Sequence, residues 1–234
     1  LSSTAKIQIN PTIEELAKVT NLDSINVSDN ASVTDLVPLK KLPKLRTVVA
    51  AKTPIKDLSP LKDHRDIRVL DVSNTNVTDI SIVSHLSKLT LIRADNSDIQ
   101  NLEALANLPA LQTVYADETA IDNVLVQDFL QKRPSCLVVY KTSALEQWWD
   151  GLPDAWKQVF QTQVPIRPKS RSEDLHRLIE LETISFKDAS VAELTSLAPF
   201  VRIKELDFSG TGISDLSPLT AIKSLTSLHA TNSP

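Results

Sequence analysis

A 22-residue period governs this chain. Leu45, Ile67, Leu89 and Leu111 stand 22 apart; three positions on come Val48, Leu70, Ile92 and Val114, and five on come Ala50, Val72, Ala94 and Ala116. Eight positions on lies a small hydroxyl: Thr53, Thr75, Ser97 or Thr119. Self-similarity at a period of this size means a stack of like supersecondary units, none of which can bury its own apolar side alone. The first three apolar positions suit a short strand with alternating inward and outward side chains. Ile55, Val77, Ile99 and Ile121 continue the buried column past a turn, and the pairs Leu58/Leu61, Ile80/Val83 and Leu102/Leu105 have the spacing of a short 3₁₀ or helical return. Leu22, Ile25 and Val27 open the series, with Val33 one residue late.

Asp35, Asp57, Asp79 and Asp215 recur just before the return, and Asn101, Asn123 and Glu193 take the same place. Four aspartates at one offset invite a metal reading. Capping is the stronger one, because Asp and Asn accept the unpaired N–H groups that open a helical turn. Pro38, Pro60 and Pro218 fall three residues later, where a missing N–H costs little. The Thr53, Thr75, Thr119 and Thr211 hydroxyls read as an inward ladder bonded to turn backbone.

Ile55-Lys-Asp-Leu-Ser-Pro-Leu61, Val77-Thr-Asp-Ile-Ser and Gly212-Ile-Ser-Asp-Leu-Ser-Pro-Leu219 resemble the 22-residue leucine-rich repeats of bacterial internalins, and the phosphatase-regulator class of repeats is similar. The resemblance covers 30–132 and 181–234. It implies an α/β solenoid with a parallel concave sheet, 3₁₀ or helical convex segments and helical caps, which binds macromolecules at a bacterial cell surface. The chain departs from the pattern in carrying Thr or Ser where that family has Asn, and Ala189 offers no polar group at all.

The period returns with Leu181, Ile203 and Leu225, followed by Ile184, Leu206, Leu228 and by Phe186, Phe208, Ala230. Between the arrays Leu137 and Val139 read as inward strand positions, and Leu145, Trp148, Trp149, Leu152, Trp156, Val159 and Phe160 form an apolar stripe at helical spacing. Gly151 and Pro153 divide that stripe into two helices. The tryptophans predict a cap over the end of the first array, with a partner-binding patch as the minority reading. Shifted by 159, Glu14, Leu16, Val19, Leu22, Ile25 and Val27 fall on Glu173, Leu175, Leu178, Leu181, Ile184 and Phe186, so each array opens with a short amphipathic helix. The expected organisation is a first array over 1–163 with its Trp-rich cap at about 144–162, a linker with solvated charges over 164–171, and a second array from 172 to 234. The chain has no Met and opens at Leu1 with no visible signal peptide. We therefore expect a trimmed piece of a longer protein, and because the second array stops in a turn without a cap, we expect it to continue past Pro234.

Charge and motif content narrow the function. A net charge of −4 lacks the basic stripe of a nucleic-acid binder, and no apolar run approaches a membrane span. The single cysteine, Cys136, reads as a structural thiol. His64, His85, His176 and His229 have no metal-ligand spacing, and Gly151, Gly210 and Gly212 make no phosphate loop. His64 replaces an apolar column residue and reads as structural. Ser185, Asp207 and His229 fall in one outward column, but a strand ladder supplies neither an oxyanion site nor a pocket. No catalytic residue, metal or cofactor is expected.

Strand alternation places Val69, Asp71, Ser73, then Leu91, Arg93, Asp95, then Thr113, Tyr115, Asp117, and last Cys136, Val138, Tyr140 on the outward face. Tyr and Arg are frequent interface anchors. The candidate binding residues are therefore Asp71, Leu91, Arg93, Asp95, Tyr115, Asp117, Val138 and Tyr140. They suit a protein or peptide ligand with a basic or hydrogen-bonding group. The alternatives are a structural spacer or self-association module, or the recognition domain of a larger enzyme. The resemblance points to an extracellular or cell-surface setting, and a cytoplasmic one is the alternative.

Overall fold

The computed structural model describes residues 13–233. Six three-residue strands, β1 (Ser24–Asn26), β2 (Thr47–Val49), β3 (Val69–Asp71), β4 (Leu91–Arg93), β5 (Thr113–Tyr115) and β6 (Leu137–Val139), form one parallel sheet in chain order. Three more, β7 (Thr183–Ser185), β8 (Glu205–Asp207) and β9 (Ser227–His229), form a second. Most returns are short 3₁₀ turns such as Ser59–Leu61 and Ser81–His85. The register is the period made physical: Val48 pairs with Leu70, Leu70 with Ile92 and Ile92 with Val114, all buried. Each coil thus covers the apolar columns of the one before it.

Polar groups follow the same repeat. Thr53, Thr75, Ser97 and Thr119 donate their hydroxyls to the carbonyls of Ala50, Val72, Ala94 and Ala116 at 2.6–2.7 Å. In the second array Thr211 does the same toward Phe208, while at Ala189 a backbone N–H takes over, donating to the Phe186 carbonyl at 2.8 Å. The aspartates act as capping groups: Asp35, Asp57, Asp79 and Asp215 accept N–H bonds from Val37, Ser59, Ser81 and Ser217, and Asn101 and Glu193 accept theirs from Glu103 and Thr195. The Ser59 and Ser81 bonds hold the Asp57 and Asp79 carboxyls below the ordinary carboxylate range. One expectation is corrected. At the longer helix α1 (Asn123–Lys132) the cap is Asp122, bonded to the Leu125 N–H, and not Asn123.

That helix also changes the register. Three turns of α-helix need more chain than a 3₁₀ turn, so β6 pairs with β5 at an offset of 24: Thr113 with Leu137, Val114 with Val138 and Tyr115 with Val139. A slip of one residue exchanges the two faces of a strand. Val138, not Leu137 or Val139, therefore occupies the inward column, and Cys136 and Tyr140 join the first core.

The chain divides into two compact units between Lys141 and Thr142. The aromatic helices α2 (Thr142–Gly151) and α3 (Asp154–Gln163) belong to the second unit, contrary to the expected cap on the first array. Their partners are phenylalanines of the second array: Trp156 meets Phe186 edge-on at 4.7 Å, Phe160 stacks on Phe200 at 5.2 Å, and Trp148 donates its indole N–H to the Ser196 carbonyl. Phe186 and Phe208 stand in a column that Val and Ala fill in the first array, and Phe200 in one that holds Leu and His64; all three join the core that the large rings cover.

The expected linker is structured as well. Residues Pro168–Ser170 make a 3₁₀ turn into α4 (Arg171–Ile179), and the almost fully buried Asp174 accepts bonds from Arg167, Ser170 and Arg177. The Arg167 bonds hold Asp174 well below the usual carboxylate range. Arg167 is thus a structural partner of Asp174, although its side chain stays largely exposed. The opening turn of the first array is a 3₁₀ helix, Ile13–Lys18; the matched side chains of Glu14 and Leu16 lie outside the described residues.

Every coil turns at one residue in the left-handed region: Asp29, Lys52, Asn74, Asn96, Glu118, Lys141, Asp188, Gly210 and Asn232. Asn, Asp and Gly tolerate that conformation, while Lys and Glu are strained there. At Gly210 a Cβ would also meet the exposed Asp188 carboxylate, which would have to turn aside. Replacing Glu118 (φ 53°) with Gly is expected to stabilise the first unit by about 0.5–1 kcal/mol, read as a higher urea midpoint. The open end of the second array gives a second test. Leu206 and its register partner Leu228 occupy the same column, but Leu206 is 0% and Leu228 42% exposed. Leu206→Ala should cost about 2–5 kcal/mol and Leu228→Ala under about 1 kcal/mol, measured by denaturant unfolding.

Candidate functional site

The outward residues of the first sheet form rows because the strands pair in register. One row runs Ser24, Thr47, Val69, Leu91, Thr113 and Leu137; the next runs Asn26, Val49, Asp71, Arg93, Tyr115 and Val139. Two residues past the strand ends come Ala51, Ser73, Asp95 and Asp117. Six of the eight expected binding residues, Asp71, Leu91, Arg93, Asp95, Tyr115 and Asp117, fall on these rows and are partly exposed. Val138 and Tyr140 do not: at 2% and 4% exposure they lie in the core, on the other face. The register change gives their place in the outward rows to Leu137 and Val139, and Leu137 is the partly exposed one. Sequence reading missed Leu137 because strand parity was carried across an insertion of even length as though it were odd.

At the centre, the Arg93 guanidinium carbon sits 3.6 Å from the centroid of the Tyr115 ring, and Arg93 Nη1 lies 3.9 Å from Asp95 Oδ2. Adjacent parallel strands bring positions 93 and 115 side by side, so the cation lies over the ring face. Asp95 Oδ1 accepts the Asp117 N–H at 2.9 Å, and Asp71 Oδ1 accepts the Ser73 N–H at 3.0 Å. The Asn96 side-chain amide donates to the Asn74 oxygen at 2.9 Å, extending the ladder to the turns. Burial raises the Asp95 carboxyl above its ordinary range, and the Asp117 and Asp71 charges push the same way against the Asp117 N–H bond and Arg93.

The second sheet carries Thr183, Glu205 and Ser227 in one outward row and Ser185, Asp207 and His229 in the next. The latter three do not make a relay. Asp207 accepts the Ser209 N–H, while His229 Nε2 lies 3.3 Å from Glu205 Oε1 and 3.3 Å from Ser227 Oγ. His64 is buried, with Nε2 2.9 Å from the Leu39 carbonyl, which only accepts; Nε2 therefore carries the proton. Burial pushes the Cys136 thiol up to about 11, so it is not a nucleophile at neutral pH. Among the described residues no group of three or more His, Cys, Asp or Glu could hold a metal, and no helix is long and apolar enough to cross a membrane.

In-register short strands, capped 3₁₀ returns and shared apolar columns define a leucine-rich repeat solenoid. Its repeat is internalin-like. Internalin C2 of Listeria monocytogenes superposes with a TM-score of 0.50 at 18% identity, over 95% of this chain and 84% of that one. An internalin (inlF) of the same species gives a TM-score of 0.43 at 19% identity, over 93% of this chain and 56% of that one. A leucine-rich repeat protein of Leptospira interrogans gives 0.48 at 13%, over 94% and 57%. The chain thus spans little more than half the length of the latter two. No protein-family model and no curated protein sequence matches the chain.

Asp95 supplies a test of the site's electrostatics. Its folded-state value is raised, so its stabilising contribution is full below the unfolded value of about 3.9 and is lost as pH rises through the folded value. Asp95→Asn is therefore expected to raise the Tm at pH 7, with the gain shrinking toward pH 4. Asp79→Ala, which removes a cap held ionised by its hydrogen bonds, should lower the Tm at pH 7 and lose that effect in acid.

Proposed function

We propose that this chain is a non-enzymatic interaction module that binds a protein or peptide on the outward sheet face of its first array. The observation that carries the reading is the Arg93–Tyr115 stack flanked by Asp95 and Asp117. Arginine and tyrosine dominate binding energetics where they are pre-positioned. The ring holds the guanidinium over its face and reduces the rotamer freedom that binding would otherwise remove. The N-terminal rows, with Ser24, Asn26, Thr47 and Ala51, offer no comparable anchor. An extracellular or cell-surface setting belongs to the proposal and rests on the repeat type alone. Self-association through the tryptophans is not favoured, because Trp149 and Trp156 are buried within the second unit and Trp148 packs against Phe160 and Phe200.

The experiment is selection of a random peptide display library on the immobilised chain. Enriched peptides should lose about tenfold or more in affinity on Arg93→Ala or Tyr115→Ala, with thermal melts unchanged. Binders indifferent to both substitutions would overturn the assignment.

A further inference from the structure

The rows of the first sheet differ in chemistry, and the differences are ordered. The first row is apolar toward its C-terminal end, with Val69, Leu91 and Leu137 interrupted only by Thr113. The second carries the Arg93–Tyr115 stack. The third ends in Asp95 and Asp117, and Arg93 lies between Asp95, at 3.9 Å, and the Tyr115 ring. The face therefore grades from apolar to anionic across three rows about 7 Å apart, a total width of about 14 Å. The second sheet has no such grading, since its first outward row is Thr183, Glu205 and Ser227.

The spacing along the rows selects the shape of the ligand. Neighbouring strands lie about 4.8 Å apart, so a row presents one side chain every 4.8 Å or so. A peptide in extended form running along a row would offer a side chain to the sheet about every 6.6 Å and fall out of step within two strands. An α-helix repeats every 5.4 Å and sets one residue per turn against each strand. With side chains it is about 10–12 Å across, so it sits over the apolar row and the stack, and extended Lys or Arg side chains on its flank reach the acidic row. Cations on one flank would offset the burial of the Asp95 carboxylate.

We infer that the partner segment is a basic amphipathic α-helix of about three turns, lying across β3–β6 with its apolar stripe on Val69, Leu91, Tyr115 and Leu137 and its Lys/Arg flank over Asp95 and Asp117. This deepens the concave-face reading and rests on it. The helix supplies the complement to the whole grading, which neither an acidic nor a purely apolar segment does.

The test uses the 234-residue chain and three designed 18-residue peptides followed by fluorescence anisotropy. The first has a leucine stripe and an adjacent lysine flank, the second replaces the lysines with glutamates, and the third carries two central prolines. The lysine helix is expected to bind at least tenfold more tightly than either control, and more weakly as salt rises. Asp95→Asn with Asp117→Asn, or Leu91→Ser alone, should weaken it about tenfold while the melts show a folded chain. Asp207→Asn on the second sheet should leave it unchanged. Equal binding of the glutamate or proline peptide, no binding of the lysine helix, or a loss on Asp207→Asn would overturn the inference. Display-selected peptides separate the two levels. If they depend on Arg93 and Tyr115 but are extended or acidic, the helical partner is wrong and the face assignment stands. If they are indifferent to both residues, the face assignment itself fails.

Discussion

Everything in this molecule depends on apolar columns that no coil can bury by itself. Leu45, Ile67, Leu89 and Leu111, with the strand-centre residues Val48, Leu70, Ile92 and Val114, are shielded only because a like coil lies on either side. At about 25 cal/mol per Å² of apolar surface removed from water, this shared burial is what holds such short strands in register. The remaining devices keep the coil thin enough to stack. The hydroxyls at Thr53, Thr75, Ser97 and Thr119 satisfy a turn carbonyl locally, the Asp caps open a 3₁₀ return without extra chain, and a left-handed residue closes each strand. Strain at Lys52 and Glu118 is tolerated because the columns on both sides fix the turn.

The same constraint explains which parts were legible in the sequence. Column residues must be apolar and recur at fixed distance, so the strands, the returns and the parallel order can be read from spacing alone. The caps and hydroxyls are legible for the same reason, since a buried turn needs its backbone groups bonded in every coil. Legibility stops where the period stops. Through α1 the chain gains two residues, and spacing cannot tell an offset of 23 from one of 24, although the two put opposite faces of β6 into the core. Val138 and Tyr140 were assigned to the surface on that single ambiguity, and Leu137 was lost to it.

Ownership of the aromatic helices was obscured differently. An apolar stripe between two arrays can cover the end of either, and periodicity is silent on the choice. Composition was not silent. Phe160, Phe186, Phe200 and Phe208 all follow Trp156, whereas the columns of the first array contain Val and Ala at the positions of Phe186 and Phe208. Wide rings need wide partners, and the ring contacts of Trp156 and Phe160 with Phe186 and Phe200 follow from that size match. Asp174 is the polar counterpart. A carboxylate buried on α4 has to find cations nearby; Arg167 answers it from the segment expected to be a linker, and Arg177 from α4 itself.

Function is least legible where the stack imposes least. Outward strand positions are free of the column rule, so their chemistry can vary from coil to coil without disturbing the fold. In the first array it varies in one direction, from small and uncharged at β1 to aromatic, cationic and acidic at β4 and β5. Solubility alone accounts poorly for that gradient, since it does not call for an arginine laid on a ring or for a carboxylate left part-buried beside a second one. Asp95 raises the cost of the folded state at neutral pH, whereas the capping aspartates of the preceding coils, Asp57 and Asp79, lower it. On the reading proposed above, the cations of a partner would offset that cost at Asp95, which the Asp117 N–H bond holds in place on this face.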